Sequence, residues 1–258
     1  MAERGLDNLP DVITHLREGC ELPEAVELGR KMAAFASRSL GKVFFDRSLP
    51  ALPIDARGIV FCTYELSLPT SDELQNEHLF RHLSIEKIFG RALYATIAKL
   101  AHRVCFADRS DLALFLASEA HHLTSNPQGL EIVNEFLREG RKAKAAIGMD
   151  SHDPEEFGPK RGLIPMRLLM RQPDPELAVK GLHWLGLDEK DEELIETITG
   201  LSPMDSDNKV FPGREGEGML QDSAGNIGLL QVALPNVEER RAAVLTTPEE
   251  HHGKKVVA

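Results

Sequence analysis

Apolar residues along this chain fall into two patterns, spaced stripes and short unbroken runs, and each predicts a different element. Spaced positions at Val12, Ile13 and Leu16 in NLPDVITHLREG predict a helix near the start of the chain. Pro23 to Leu40 reads as a second amphipathic piece. From Ser84, a suitable N-cap, apolar residues recur at Ile85, Ile88, Phe89, Ala92, Leu93, Ile97 and Leu100, a broad helical stripe. LEIVNEFLREGRKAKA carries Leu130, Val133 and Leu137 on one helical face. Asp174 with Pro175 starts a helix over ELAVKGLHWLG, and Asp188 is the expected cap of the next one, over DEELIETITG. Trp184 in the first of these reads as a core anchor.

Unbroken runs predict strands. RGIVFCTYEL, residues 57–66, is β-branched and aromatic and ends in a turn at LPTSDE. Leu112 to Ala117 is a continuous apolar run of the kind buried on both faces of a parallel sheet. AAIGMDSHD and MRLLMRQ supply two more runs. GEGMLQDSAGNIGLLQVAL reads as a hairpin turning at Gly225 and Asn226. Strands alternating with helices predict an α/β fold with a mainly parallel sheet. Segments near 58–65, 112–117, 145–150 and 166–171 are its expected strands.

Composition narrows the function. The 258 residues carry 41 acidic and 30 basic side chains, a net charge of −11 that disfavours a free-standing nucleic-acid binder while leaving a local basic patch open. The apolar runs are too short for a membrane span, and MAERGLDNLPDV lacks signal-peptide features, so a cytoplasmic chain is expected. Cys20, Cys62 and Cys105 suit reduced thiols. The tail EEHHGKKVVA is polar and carries no assigned function.

The chemistry centres on Glu119, which follows the Leu112–Ala117 run. An acid at the C-terminal end of a buried strand stands where open α/β sheets hold their ligands. The bland alternative is a helix-start carboxylate favoured by the helix dipole. If strands 112–117 and 145–150 are parallel neighbours, Ser151 and His152 emerge on the same edge. Scattered histidines raise a metallohydrolase reading through His121, His122, His152 and Asp153, or His78 and His82, but HLFRH has Leu79 where H-E-x-x-H needs glutamate. No metal site is assigned on that basis.

The ordered series SEAHHLTSNPQG, FLREGRKAKAAIGMDSHDPEEFG, RGLIPMRLLMRQPDPELAVKGLHWLGL, GREGEGMLQDSAGNIG and TTPEE resembles the C-terminal part of the motor domain of conjugative type IV secretion ATPases, in the VirB-four-like form of actinobacterial mobile elements. The likeness runs from about Leu83 onward. It implies a RecA-like P-loop NTPase core over residues 56–258, a helical lobe over 1–55 and a C-terminal β-hairpin, with ATP and Mg2+ as cofactors. It further implies a ring-forming homo-oligomer that works with type IV secretion components at the inner face of the cell membrane.

By the same resemblance, Glu119 polarises the attacking water and Ser118 stands where relatives carry an aspartate of the magnesium shell. Arg138, Arg141 and Lys142 match an arginine motif that approaches nucleotide phosphates, in some members across a subunit boundary. The alternative for them is a solvated basic face at a helix C-terminus, the reading preferred for Lys144. His152 occupies a polar sensor position, and Arg167 and Arg171 are further phosphate-facing or interface candidates. One feature of the family is missing. A P-loop needs G-x-x-x-x-G-K-[ST], yet Gly41-Lys42 has Ala36 and Val43 at the flanking positions, and Gly253-Lys254 has Pro248 and Lys255. The expectation is a C-terminal portion that needs an upstream Walker A segment and binds ATP weakly or not at all when alone. The competing expectation is a catalytically inactive scaffold or regulatory fragment of a secretion complex.

Overall fold

The computed structural model describes residues 6, 8–50, 52–63, 66–233 and 236–240. The chain divides into two compact units, residues 1–150 and 151–258.

The first unit starts with helices α1 (Leu9–Glu18), α2 (Pro23–Ala36) and the short α3 (Lys42–Phe45). Asn8 caps α1 by accepting the Asp11 N–H at 3.0 Å. Two short helices follow, α4 (Ser71–Gln75) and α5 (Glu77–Arg81), and then the long α6 (Ile85–Ala107). Ser84 is the N-cap of α6, its hydroxyl accepting from Lys87 N–H at 3.3 Å. The N-terminal helices reach α6 through Phe35 and Phe44, whose rings lie 6.1 and 5.8 Å from that of Phe89. The buried side of α6 is Phe89, Gly90, Ala98 and Cys105, whereas Ile85 and Ile88, members of the predicted stripe, are exposed. Gly90 is required by contact: a Cβ there would stand 2.2 Å from the Ser67 carbonyl oxygen of the segment crossing the helix.

Strand β1 (Ala113–Ala117) leads through α7 (Ala120–Thr124) and α8 (Pro127–Ala143) to β2 (Ala145–Met149), which pairs with β1 in parallel from Ala113↔Ala145 to Ala117↔Met149. The core beneath them joins Ala98 and Cys105 of α6, Ile132, Val133 and Phe136 of α8, and Ala117 and Ala145 of the strands. Burying each large apolar side chain there contributes about 1.5–3 kcal/mol. Because both long helices pack on one face, β1 is buried on that face alone. Leu112, Leu114 and Leu116 are 75, 56 and 71% exposed, so the expectation of burial on both faces is corrected.

Two further strand expectations change. Among the described residues of 57–66 no strand forms, and Tyr64 and Glu65 lie outside them. Strand-forming side chains without a neighbouring ladder do not hold a strand, and Val60 is 94% exposed. The run at 166–171 does form β3 (Arg167–Met170), but in the second unit and antiparallel to β4 (Glu217–Gln221) rather than in the parallel sheet. Two strands, β1 and β2, make up the parallel sheet of the described residues.

In the second unit β4 also pairs antiparallel with β5 (Ile227–Gln231), giving the order β3-β4-β5. Between β4 and β5 the Asp222 carboxylate accepts from the Ala224 and Asn226 amides at 2.8 and 2.9 Å, with Gly225 at φ 89°. Helix α9 (Pro175–Leu185) lies on this sheet at Gly181, where a Cβ would meet Leu169 Cδ1 at 2.6 Å. Asp174 caps α9, accepting from Glu176 N–H at 2.9 Å. The cap of α10 (Glu192–Thr199) is Asp191, not Asp188 as expected; Asp188 instead closes a turn on the Lys190 amide. Leu182, Leu185, Ile198, Leu169 and Met219 form this unit's core. Trp184 stands outside that cluster, stacked on Phe157 at 5.2 Å.

Candidate functional site

The C-terminal ends of β1 and β2 bring Ser118, Glu119 and Asp150 together. Asp150 Oδ1 accepts from the Ser118 hydroxyl at 3.1 Å and from the Glu119 N–H at 2.9 Å. The Asp150 carbonyl accepts the Ala120 N–H at 2.8 Å, and the Asp150 N–H donates to the Ala117 carbonyl at 3.3 Å. Glu119 is left-handed, at φ 56° and ψ 62°. For a residue with a Cβ that conformation costs about 1–2 kcal/mol. Strain of this kind persists where surrounding bonds hold it in place, and the bonds to Asp150 do so here.

Glu119 precedes α7 without giving it a side-chain cap. Its Oε2 lies 3.4 Å from His121 Nδ1, and the carboxylate side chain is 43% exposed. The His121 and His122 rings approach to 3.9 Å, and His122 meets the Tyr94 ring of α6 edge-on at 6.1 Å. Burial pushes the Tyr94 phenol above its ordinary value, and the Asp150 and Glu119 carboxylates push it further. Two carboxylates and a tyrosine therefore share one edge of the first unit. Ser118 and Asp150 are exposed at this edge, and Tyr94 and His122 line a small hollow beside Leu68, Arg91 and Asn126.

The basic motif stands elsewhere. Arg141 and Lys142 belong to the last turn of α8, which ends where β1 begins: Lys144 Nζ reaches the Ser110 carbonyl at 2.6 Å and the Ala113 N–H bonds the Lys144 carbonyl at 2.9 Å. Glu119 follows the far end of β1, about 17 Å of strand away. Arg138 lies two residues beyond buried Phe136, and at 100° per residue this turns it to the opposite, solvent side of α8. Lys142 pairs with Glu139 at 2.9 Å. The structure does not bring these three cations to Glu119 of their own chain.

His152, Arg167 and Arg171 belong to the second unit. His152 is exposed. Arg167 donates to the carbonyls of Ile164 and Gly162, each at 3.1 Å, and of Trp184, and lies 5.4 Å over the Trp184 ring. Burial lowers its pKa. Arg171 donates to the Thr199 carbonyl at 3.3 Å. Both guanidinium groups thus tie loops to helix ends within this unit.

The histidine pairs are local contacts. His82 Nδ1 meets the His78 carbonyl at 2.8 Å, and the two rings lie 4.5 Å apart. Among the described residues no group of three or more histidines, cysteines, aspartates or glutamates is arranged to hold a metal ion. Sequence reading missed Asp150 and Tyr94. For Asp150 the signal was available, since GMD repeats the pattern of an apolar run closed by an acid that singled out Glu119.

Fold and site together define a mixed α/β protein whose small parallel sheet carries acidic side chains at the C-terminal ends of its strands, the edge where such sheets hold ligands. The sequence pattern of the AAA-like domain family matches residues 2–242, and the chain belongs to that family. Membership indicates a P-loop ATPase-type function that uses nucleotide and Mg2+ in general. No curated protein and no solved structure matches the chain. No helix of the described residues is long and apolar enough to cross a membrane.

Proposed function

We propose that this chain is the C-terminal portion of an ATP-hydrolysing motor of the VirB-four-like kind, energising conjugative type IV secretion or DNA transfer. The observation that carries the reading is Glu119, held in a left-handed turn at the end of a parallel strand in a chain matched over 2–242 by the AAA-like domain family. In this reading residues 1–55 are the helical lobe of a RecA-like motor and 56–258 its core. Glu119 orients the attacking water, Ser118 faces the magnesium shell, and His152, Arg167 and Arg171 serve nucleotide sensing or subunit contacts. Arg138, Arg141 and Lys142, remote from their own Glu119, act on the nucleotide of a neighbouring subunit in a homo-oligomeric ring. The assembly works in the cytoplasm against secretion components at the membrane.

The described residues contribute an acid and a water-positioning edge; the phosphate cradle and the magnesium-binding hydroxyl come from a Walker A segment that this sequence does not contain. Co-expression with a P-loop-bearing segment of a related motor tests this. Magnesium-dependent ATP hydrolysis is expected in the pair, abolished by Glu119→Gln with nucleotide binding retained. Hydrolysis indifferent to Glu119→Gln overturns the assignment.

A second reading, a catalytically inactive scaffold, draws on Ser118 at the position of an aspartate. It expects the pair to bind nucleotide and turn over none.

A further inference from the structure

Glu119 is an unusual residue to find in a left-handed turn, a conformation glycine adopts at no steric cost. Asp150 borders the turn with both its side chain and its backbone. Asp150 binds the Glu119 amide and the Ser118 hydroxyl through the same carboxylate oxygen, Oδ1, while its backbone bonds Ala117 and Ala120 on either side. Every residue from Ala117 to Ala120 is therefore bonded to Asp150. The acceptor oxygen that takes the Glu119 amide offsets the cost of the left-handed backbone.

The direction in which a side chain leaves the backbone follows from φ and ψ. Holding Glu119 at φ 56° fixes where its Cβ points, and so where the carboxylate can reach. A return to the extended or right-handed region would swing the carboxylate to a different side of the edge. We propose that Asp150 is a positioning residue for Glu119, acting as a hydrogen-bond acceptor that sets the turn and thereby aims the water-orienting carboxylate. The inference rests on the reading of Glu119 given above. Its distinctive content is that Asp150 works through its acceptor oxygen and not through its charge.

Asparagine keeps an Oδ1 acceptor and removes the charge, whereas alanine removes both. In NMR spectra of the full chain, the Glu119 three-bond HN–Hα coupling and Cα shift are expected to keep their left-handed values in Asp150→Asn and to lose them in Asp150→Ala. Ser118→Ala deletes one of the two bonds to Oδ1 and is expected to leave the Glu119 signals unchanged. In the hydrolysing pair, Asp150→Ala is expected to lower kcat about 100-fold at constant KM, and Asp150→Asn to stay within about threefold of the parent.

The outcomes separate. If Asp150→Asn loses kcat as fully as Asp150→Ala, charge is what matters and the acceptor role is wrong. A Glu119 left-handed in Asp150→Ala overturns the inference without any assay of hydrolysis. Full activity in Asp150→Ala beside a dead Glu119→Gln also overturns it while leaving the function of Glu119 standing. Indifference to Glu119→Gln removes the underlying reading, and the inference with it.

Discussion

Replacing Glu119 by glycine and, separately, by alanine deletes the same carboxylate but leaves two different backbones in the turn after β1. Alanine pays the left-handed cost of about 1–2 kcal/mol that glutamate pays, and glycine escapes it. Glycine in turn loses about 0.5–1 kcal/mol through the greater freedom of its unfolded chain. The pairing with His121 at 3.4 Å is absent from both variants and cancels in the comparison. Glycine should therefore exceed alanine by about 0–1.5 kcal/mol, about 0.75 kcal/mol at mid-range and a factor of about 3–4 in an opening equilibrium. Because the chain has two compact units, a global melt would mix their transitions. Amide hydrogen exchange at Ala113 and Asp150, which bond the Lys144 and Ala117 carbonyls, reads the β1–β2 region by itself. Slower exchange in Glu119→Gly than in Glu119→Ala is expected. Greater protection in alanine would mean that residue 119 does not hold the left-handed conformation in solution.

Three other perturbations test the packing. Gly129→Ala places a Cβ 2.1 Å from the Leu123 carbonyl oxygen and should cost about 1–3 kcal/mol, read as faster exchange of the same two amides. Leu114→Lys with Leu116→Lys changes two exposed positions; stability should stay within about 0.5 kcal/mol while light scattering falls, and a large loss of stability would show that face to be covered. For Asp153, burial raises the carboxyl pKa, but the hydrogen bond from Lys180 at 2.5 Å and the Glu155 amide overcome it, so the net shift is downward. The unfolded chain then takes up the proton first as pH falls. The stabilisation is complete above the ordinary aspartate pKa and is lost below it. Asp153→Asn should therefore lower the melting temperature more at about pH 6 than at about pH 3, followed by Trp184 fluorescence.

Local signals in the chain were readable where the partner lies a few residues away. Ser84, Asp174 and the α8 stripe are set by caps and by helical spacing, and the structure forms α6, α8 and α9 accordingly. Even so, Asp191 displaced Asp188 as a cap, because caps compete within one turn and Asp191 reaches two amides, of Glu193 and Leu194. Pairing partners were less legible. MRLLMRQ fits a parallel or an antiparallel ladder equally well, and β4, distant in sequence, decides it. RGIVFCTYEL has the composition of a strand, and among the described residues no ladder is there for it to join. At the site, Glu119 could be singled out as an acid after an apolar run, but its left-handed backbone could not, because that depends on Asp150, 31 residues further on.

The separation of Glu119 from Arg138, Arg141 and Lys142 along the β1–α8–β2 unit gives an assembly built through them a direction. Each subunit would present its acidic edge to one neighbour and its arginines to the other, a head-to-tail contact that either closes into a ring or runs on as a filament. Such an interface joins halves from two chains, so two defective variants can repair one another. In an equal mixture of subunits carrying Glu119→Gln and subunits carrying Arg141→Ala, roughly one interface in four would pair an intact glutamate with an intact arginine. Activity returning on mixing two inactive preparations would be the signature of that shared arrangement, and it would never appear if both groups served the same chain.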